Sequence, residues 1–550
     1  MKHLEYVQKT KDLIDALKTI CSNYGLGGSA DEYKIITEVF LYKFLNDKFF
    51  HEARKVTKEL IDSQNIEKDL LAMPEKDYNY LLEKIGYRAA KFGKKHFISQ
   101  LFNQQNKDDF ATIFDTVLIE IADLNIKLFS VAAIDGEKIR LFSELSKYII
   151  ETRNKTPFCK AVINKLGGFS FEPVFEEKYD FFSIIFEYLI KDYNKDSGKY
   201  AEYYTPRAVA KIMSRILVPN GVKSVSLYDP AAGSGSLLLS LAHQIGEDKC
   251  TIYTQDISQK SSEFLRLNLI LNNLVHSLNN VIQGNTLTNP YHKNEDKKDL
   301  RKFDYVVSNP PFKTDFSDDR ETLASDMHKK RFFAGVPKVP GKKKDSMAIY
   351  LMFIQHIVYS LDKKGKAAVV VPTGFLTAQS RIERKIREKI IDEKMLRGVV
   401  SMPSNIFATT GTNVSVLFID KENTDGQAVL MDASKLGEKI KEGKNQKTVL
   451  SSDEEDLIIE VFQKREPKED LSVVVSYEQI KEKNYSFSAG QYFDVKIEYI
   501  TLSKEQFENK ISEFKKNLDN LFIESKEIES EIKNLLGRLK YEWFKIKTIG

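Results

Sequence analysis

Hydrophobic positions in the first part of the chain recur at helical spacing. Ile35 to Phe50 carries apolar residues three and four apart, no Gly or Pro, and charges on the remaining face, which predicts an amphipathic helix. Residues 112–130 and 139–151 repeat the pattern. The texture changes at Gly167, Gly168 and Pro173, and a last helical run at 180–193 leads into a polar stretch at 194–199. Short β-rich apolar runs then alternate with helical patterns: Val225–Tyr228, Cys250–Thr254, Tyr305–Val307, Ala367–Val371, Val399–Ser401 and Val414–Ile419. Strands separated by helices predict a parallel sheet with crossover helices on both faces, a doubly wound α/β domain.

Beyond Asp494 the pattern is charged and helical again. Ser503 and Gln506 have the spacing of a capping box. From Phe507 the seam Ile511, Phe514, Leu518, Leu521, Ser525, Ile528, Ile532, Leu535, Leu539 alternates steps of four and three, a heptad repeat with one polar break at Ser525. Such a helix either packs on its own protein or meets a partner helix, and its regularity at a terminus favours the partner. The chain therefore divides into an N-terminal helical domain (1–170), an α/β domain (171–440), a linker or peripheral segment (441–494) and a long C-terminal helix for subunit contact (495–550).

A length of 550 residues exceeds one ordinary core, and 42% hydrophobic with 11% aromatic residues can fill several. The 83 basic and 79 acidic residues leave a formal charge of only +4, so affinity for a polyanion must come from local patches or a partner. Cys21, Cys159 and Cys250 lie far apart, with no spacing of a disulfide frame or zinc site. No apolar run of a signal peptide or membrane span is present, which predicts a soluble, cytoplasmic protein without a metal.

The strongest local signal runs from Ser226 to Ser236 (SLYDPAAGSGS): a strand ending at Asp229, a turn through Pro230, Ala231, Gly233, Ser234, Gly235 and Ser236, then a helix. Ligands sit at such places in doubly wound sheets, and Gly233 and Gly235 permit close backbone approach. A turn of this kind can bind a dinucleotide, bind S-adenosylmethionine or simply reverse the chain. The spacing is neither G-x-G-x-x-G nor a phosphate loop. Asp229 suits a cationic ligand such as a sulfonium-bearing amino acid and would repel a pyrophosphate. The next strand ends at Asp256, at the interval of an acidic group that accepts from both ribose hydroxyls. Asn285, at the third strand end, is placed to face an adenine ring or to make a plain turn. Upstream, Glu202, Tyr203, Tyr204, Thr205, Pro206 and Arg207 precede an apolar helix, with Thr205 a natural N-cap and Pro206 at the first helical position. They are candidates for a second wall of the same pocket.

The decisive element is the strand Tyr305–Val307 running into Asn309, Pro310, Pro311 and Phe312. Two prolines fix φ and forbid a following helix, so the backbone leaves the strand stiff and extended. The Asn309 side-chain oxygen and the Pro310 carbonyl can then converge on one amino group. An aromatic amine is a poor nucleophile because its lone pair is delocalised, and two acceptors on its hydrogens favour turning that pair toward an electrophile. Phe312 offers a face for an extruded base. Two further segments look DNA-facing: the basic, Phe-containing run 328–344 and the loop Met402 to Asn413.

In the order EYYTPR, DPAAGSGSLL, QD and NPPF, the chain resembles N6-adenine DNA methyltransferases, and more narrowly the modification (M) subunits of type I restriction–modification systems. FLYKFLNDKF at 40–49, VVSMPSNIFATTGTNVSVLFIDK at 399–421 and the heptad tail extend the resemblance over most of the chain. The resemblance implies S-adenosyl-L-methionine as cofactor and double-stranded DNA as substrate. It also implies assembly of two M chains with one specificity (S) subunit, and a restriction (R) subunit in the full complex. Asn285 stands where that family commonly has Asp, and Asp256 where it commonly has Glu. C5-cytosine methylation is excluded because no Cys follows Pro. N4-cytosine, RNA or protein-glutamine methylation and a non-catalytic scaffold are weaker alternatives.

Overall fold

The computed structural model describes residues 2–129, 131–133, 138–175, 184–185, 188, 205–407, 413–442, 445–493 and 503–537. It divides into two compact units, Met1–Phe493 and Asp494–Gly550.

In the first unit, the pattern around Ile35 becomes the helix Ala30–Arg54. Several of its charges do not face water. Lys43, Asp47, Lys48 and Glu52 are buried, with ion pairs Lys43–Asp47 at 2.8 Å and Lys48–Glu52 at 3.1 Å along the helix. Asp47 also accepts from the Phe171 amide at 2.8 Å, so the charged face receives the segment that follows the helix Thr152–Gly167. The helix expected over 139–151 is absent; that segment holds a strand end and one 3₁₀ turn, Ser146–Tyr148. Carboxylates take the amides a helix would use: Asp115 accepts from Leu145 and Ser146, and Glu38 from Ser143. The helical run expected at 180–193 lies largely outside the described residues.

One sheet organises the unit. Its strands are β1 (Val131–Ala133), β2 (Lys138–Ile139), β3 (Val225–Asp229), β4 (Cys250–Asp256), β5 (Val281–Gln283), β6 (Phe303–Ser308), β7 (Leu361–Pro372), β8 (Leu396–Ser401), β9 (Val414–Asp420) and β10 (Gln427–Asp432). After a separate hairpin, β11 (Glu438–Glu442) with β12 (Asn445–Val449), the strand β13 (Ser472–Ser476) closes it. The spatial order is β13-β10-β8-β9-β7-β6-β3-β4-β5-β1-β2. The segment β5-β4-β3-β6-β7 is parallel throughout. The expectation of a wholly parallel sheet is corrected at β9, which lies antiparallel between β7 and β8, and at the edge pairs β10·β13 and β1·β2. The sheet thus takes strands from before residue 170 and after residue 440.

Period-two alternation divides the central strands between two cores. Tyr305, Val307, Ala368 and Val370 join the core shared with the N-terminal helices. Val306, Ala367, Val369 and Val371 join the core under the helix Tyr350–Ser360. Both faces are therefore covered, as a parallel sheet requires. Among the described residues no helix is long and apolar enough to cross a membrane.

In the second unit, Ser503 and Gln506 form the capping box: Gln506 donates its amide to Ser503 Oγ at 3.2 Å, and Ser503 donates its own to Gln506 Oε1 at 3.0 Å. The helix Lys504–Gly537 follows, with the seam from Phe507 to Leu535 exposed. Leu539 lies outside the described residues.

Candidate active site

The chain runs outward from β3 through β4 to β5, then returns to place β6 on the other side of β3. This reversal opens a crevice at the carboxyl ends of β3 and β6, where Asp229 and Asn309 emerge. A cavity of about 190 Å³ occupies it. Of the sequence candidates, Thr205, Asp229, Pro230, Ala231, Ser236, Asp256, Asn285, Asn309 and Pro311 line that cavity. Pro206, Arg207, Gly233, Ser234, Gly235, Pro310 and Phe312 do not line it. Glu202, Tyr203 and Tyr204 lie outside the described residues.

The turn is held from several sides. Gly235 has φ +82°, and a Cβ there would come within 2.2 Å of Leu265 Cδ1 on the helix Gln259–Leu271. Backbone handedness and helix packing both call for glycine at 235. Ser234 offers its carbonyl to Asn268 Nδ2 at 2.8 Å. Thr286 Oγ1 donates to the Pro230 carbonyl at 2.6 Å, tying the β5 loop to the β3 turn. The expected cap at Thr205 is corrected: the helix runs Arg207–Leu217, with Pro206 at the N-cap and no side-chain cap bond. Pro206 has ψ 141°, which is not helical, and the buried Thr205 faces the cavity instead.

Two buried carboxyls set the electrostatics. Asp229 Oδ1 accepts from the Ala231 amide at 2.9 Å and the Ser308 hydroxyl at 2.8 Å. Burial nevertheless pushes its pKa up to about 7, and the nearby Asp256 adds to the rise. Asp256 is raised by burial too, against the pull of two amides: Gly233 on Oδ2 at 2.9 Å and Ser258 on Oδ1 at 2.8 Å. Each Asp256 oxygen keeps a lone pair for a hydroxyl donor. Among the described residues neither carboxyl has a cationic partner.

Asn285 Oδ1 accepts from the Leu287 amide at 3.0 Å, while its Nδ2 donates to Asp319 at 3.1 Å. The Asn309 carboxamide makes no hydrogen bond to any other described residue, so its oxygen is available. Phe312 is half-buried and meets Tyr350 edge-on, with ring centroids 6.3 Å apart.

Several site residues escape sequence reading. Ser308, next to Asn309, is tied to the site by its hydroxyl, which donates to Asp229 on the neighbouring strand β3. Phe316, Asp319, Leu323, Ile349 and Phe353 complete the cavity from a loop and helices without any motif. The basic run 328–344 is of two kinds. Lys329, Lys330, Lys338, Lys342, Lys343 and Lys344 are exposed, but His328, Arg331 and Phe332 are buried. Arg331 donates to the carbonyls of Thr286 and Leu287, the latter closely, and so braces the loop that carries Asn285. In the second DNA-facing candidate, Met402, Ile406 and Phe407 are buried, and residues 408–412 lie outside the described residues.

The chain is 26% identical to the type I restriction enzyme MpnII methylase subunit of Mycoplasma pneumoniae, over 94% of this chain and 95% of that one. It is 26% identical to the MjaIX methylase subunit of Methanocaldococcus jannaschii, over 93% and 88%. The fold matches a type I restriction-modification methyltransferase subunit from Streptococcus thermophilus with TM-score 0.70, at 23% identity over 89% of this chain and 100% of that one. The N-6 DNA Methylase family model matches residues 177–499, more than half of the chain, and the protein belongs to that family.

Proposed function

We propose that this adenine DNA methyltransferase transfers a methyl group from S-adenosyl-L-methionine to N6 of adenine as the modification subunit of a type I restriction–modification complex. The observation that carries the reading is a buried acidic pair, Asp229 and Asp256, at the switch point and beside an unengaged Asn309.

The residues present fit the cofactor. Asp229 is a buried carboxyl without a cation among the described residues, and it suits the charged amino acid part. Asp256 keeps lone pairs for ribose hydroxyls, and the apolar side of the cavity suits a flat base. Bound there, the cofactor would supply an electrophilic methyl group. The chain's own part is positioning. Asn309 Oδ1 and the Pro310 carbonyl accept the two amine hydrogens of an extruded adenine, turning its lone pair away from the ring. Pro310 and Pro311 keep that backbone extended. Phe312 provides the stacking face. No covalent enzyme intermediate and no metal are needed.

Similarity to type I methylase subunits over nearly the whole chain supports assembly with a specificity subunit that reads the target, two M chains per S, with a restriction subunit in the full complex. The exposed heptad seam supports a helical contact to that subunit. The test is transfer from labelled S-adenosylmethionine to DNA by this chain alone and with its genomic-neighbour specificity protein. Label recovered as N6-methyladenine only in the mixture supports the reading. Equal incorporation by the isolated chain overturns the subunit role.

A further inference from the structure

Apart from Asp229 and Asp256, the cavity lining holds a polar pair, Asn285 and Asp319. Asn285, just after β5, folds its side-chain oxygen back onto its own loop, accepting from Leu287 at 3.0 Å and more distantly from Thr288 at 3.4 Å. Its oxygen is therefore occupied with shaping the turn. Its amide nitrogen points across the cavity wall to Asp319 Oδ2 at 3.1 Å.

Asp319 sits at the N-cap of the short helix Arg320–Ala324, where an Asp side chain ordinarily caps its own helix. Here it makes no side-chain cap bond. Nor does it pair with its neighbour: Arg320 donates to the Pro337 carbonyl at 3.2 Å and pairs with Glu321 at 2.8 Å. Among the described residues Oδ1 of Asp319 has no hydrogen-bond partner, and the side chain lines the cavity. The apolar part of the lining is Leu287, Phe316, Leu323, Ile349 and Phe353, and the neighbouring carboxylate Asp315 is exposed and accepts from the Ser317 amide at 2.9 Å. Apolar walls beside the unengaged Asp319 oxygen suit an aromatic ring that carries a hydrogen-bond donor.

We propose that Asp319, oriented by Asn285, is the acceptor for the exocyclic amine of the cofactor's adenine, and so decides which purine this pocket admits. The inference rests on the cofactor reading above. Asn285 acts here as a positioning residue, because its donor fixes the carboxylate while its acceptor is committed to the loop. A purine with a carbonyl in place of the amine would set its oxygen against Asp319 and be refused.

The experiment is calorimetric binding of S-adenosylhomocysteine and S-inosylhomocysteine to the full chain. The unaltered protein is expected to prefer the adenine form by about tenfold or more, the range of a hydrogen bond to a charged group. Asp319→Asn should lose most of that preference, since an amide can donate to the inosine oxygen. The exchange variant Asn285→Asp with Asp319→Asn places a carboxylate and an amide at the same corner again and should recover part of the preference. Recovery would separate recognition from a folding defect. Wild-type preference retained in Asp319→Asn overturns the inference and leaves the cofactor reading standing. Equal binding of both probes to the unaltered protein does the same. Failure of the unaltered protein to bind either probe overturns the cofactor reading, and the inference with it.

Discussion

The Ser308 hydroxyl donates to Asp229 Oδ1 across 2.8 Å, joining the carboxyl ends of β6 and β3, which lie 79 positions apart in the chain. The bond places the last residue before Asn309 directly on the acidic end of the glycine turn. The strand leading to Asn309 and the strand ending at Asp229 are thereby held in one frame.

Asn309 stands next to that bond, and among the described residues its carboxamide has no hydrogen-bond partner. Asn309→Ala removes one of two acceptors without leaving a buried group unpaired, so the fold should persist. Methyl transfer should fall by about a hundredfold or more, as for loss of one preorganised polar group. Calorimetric binding of S-adenosylhomocysteine should change little. Normal transfer by this variant would remove Asn309 from the site.

Asp229 makes the pocket sensitive to pH in two opposite ways. With a folded pKa of about 7 against an ordinary 3.8, it binds a proton more tightly in the folded state. Its contribution to stability is full below 3.8 and is lost as pH rises through about 7. Holding a cationic amine needs the ionised form, so affinity for S-adenosylhomocysteine should rise with pH over the same window and level off above it. Binding at pH 6 should release a proton, seen as a dependence of the heat on buffer ionisation. Asp229→Asn should weaken binding and flatten its pH profile. Asp256, also raised by burial, will retain part of the stability slope.

Gly235 is a packing constraint as well as a turn residue. Gly235→Ala combines a left-handed backbone with a methyl 2.2 Å from Leu265 Cδ1. The expected loss is about 1–3 kcal/mol in urea unfolding. Adding Leu265→Ala should relieve the clash but not the backbone cost, so the two changes should be less than additive. Strict additivity would mean the two sites do not meet.

The six apolar runs that set the doubly wound domain were legible because a covered sheet makes its strands hydrophobic on both faces. The antiparallel insertion of β9 was not, since strand direction leaves no mark on such a run. Lys43 and Asp47 read as a wet helix face, because charge pattern cannot show that Phe171 will arrive to use Asp47. At the site, Asp229 and Asn309 stand at strand ends, where motif and topology coincide. Asp319 and Phe353 approach from a loop and a helix, and only tertiary folding brings them to the cavity. Arg331 looked like a phosphate contact by composition. Its neighbours in space are two carbonyls of the Asn285 loop.

The C-terminal helix carries the last prediction. Leu518 is 53% and Leu521 60% exposed, adjacent members of a seam that runs from Phe507 to Leu535. Phe522 and Leu536, each one residue beyond a seam position, are 59% and 61% exposed and widen the stripe beyond a two-helix seam. An apolar stripe of this breadth gains stability only when covered. Replacing Leu518 and Leu521 together by Asp puts two charges at adjacent seam positions, and burial of either would be costly. Helix content and binding of S-adenosylhomocysteine should remain, because neither residue belongs to the cavity. Co-purification with the genomic-neighbour specificity protein should be lost, and methylation of DNA by the mixture should fall to the level of the isolated chain. If the double variant still co-purifies and methylates as before, the specificity protein binds elsewhere. A change in size on gel filtration without that partner would then identify the seam as a contact between copies of this chain.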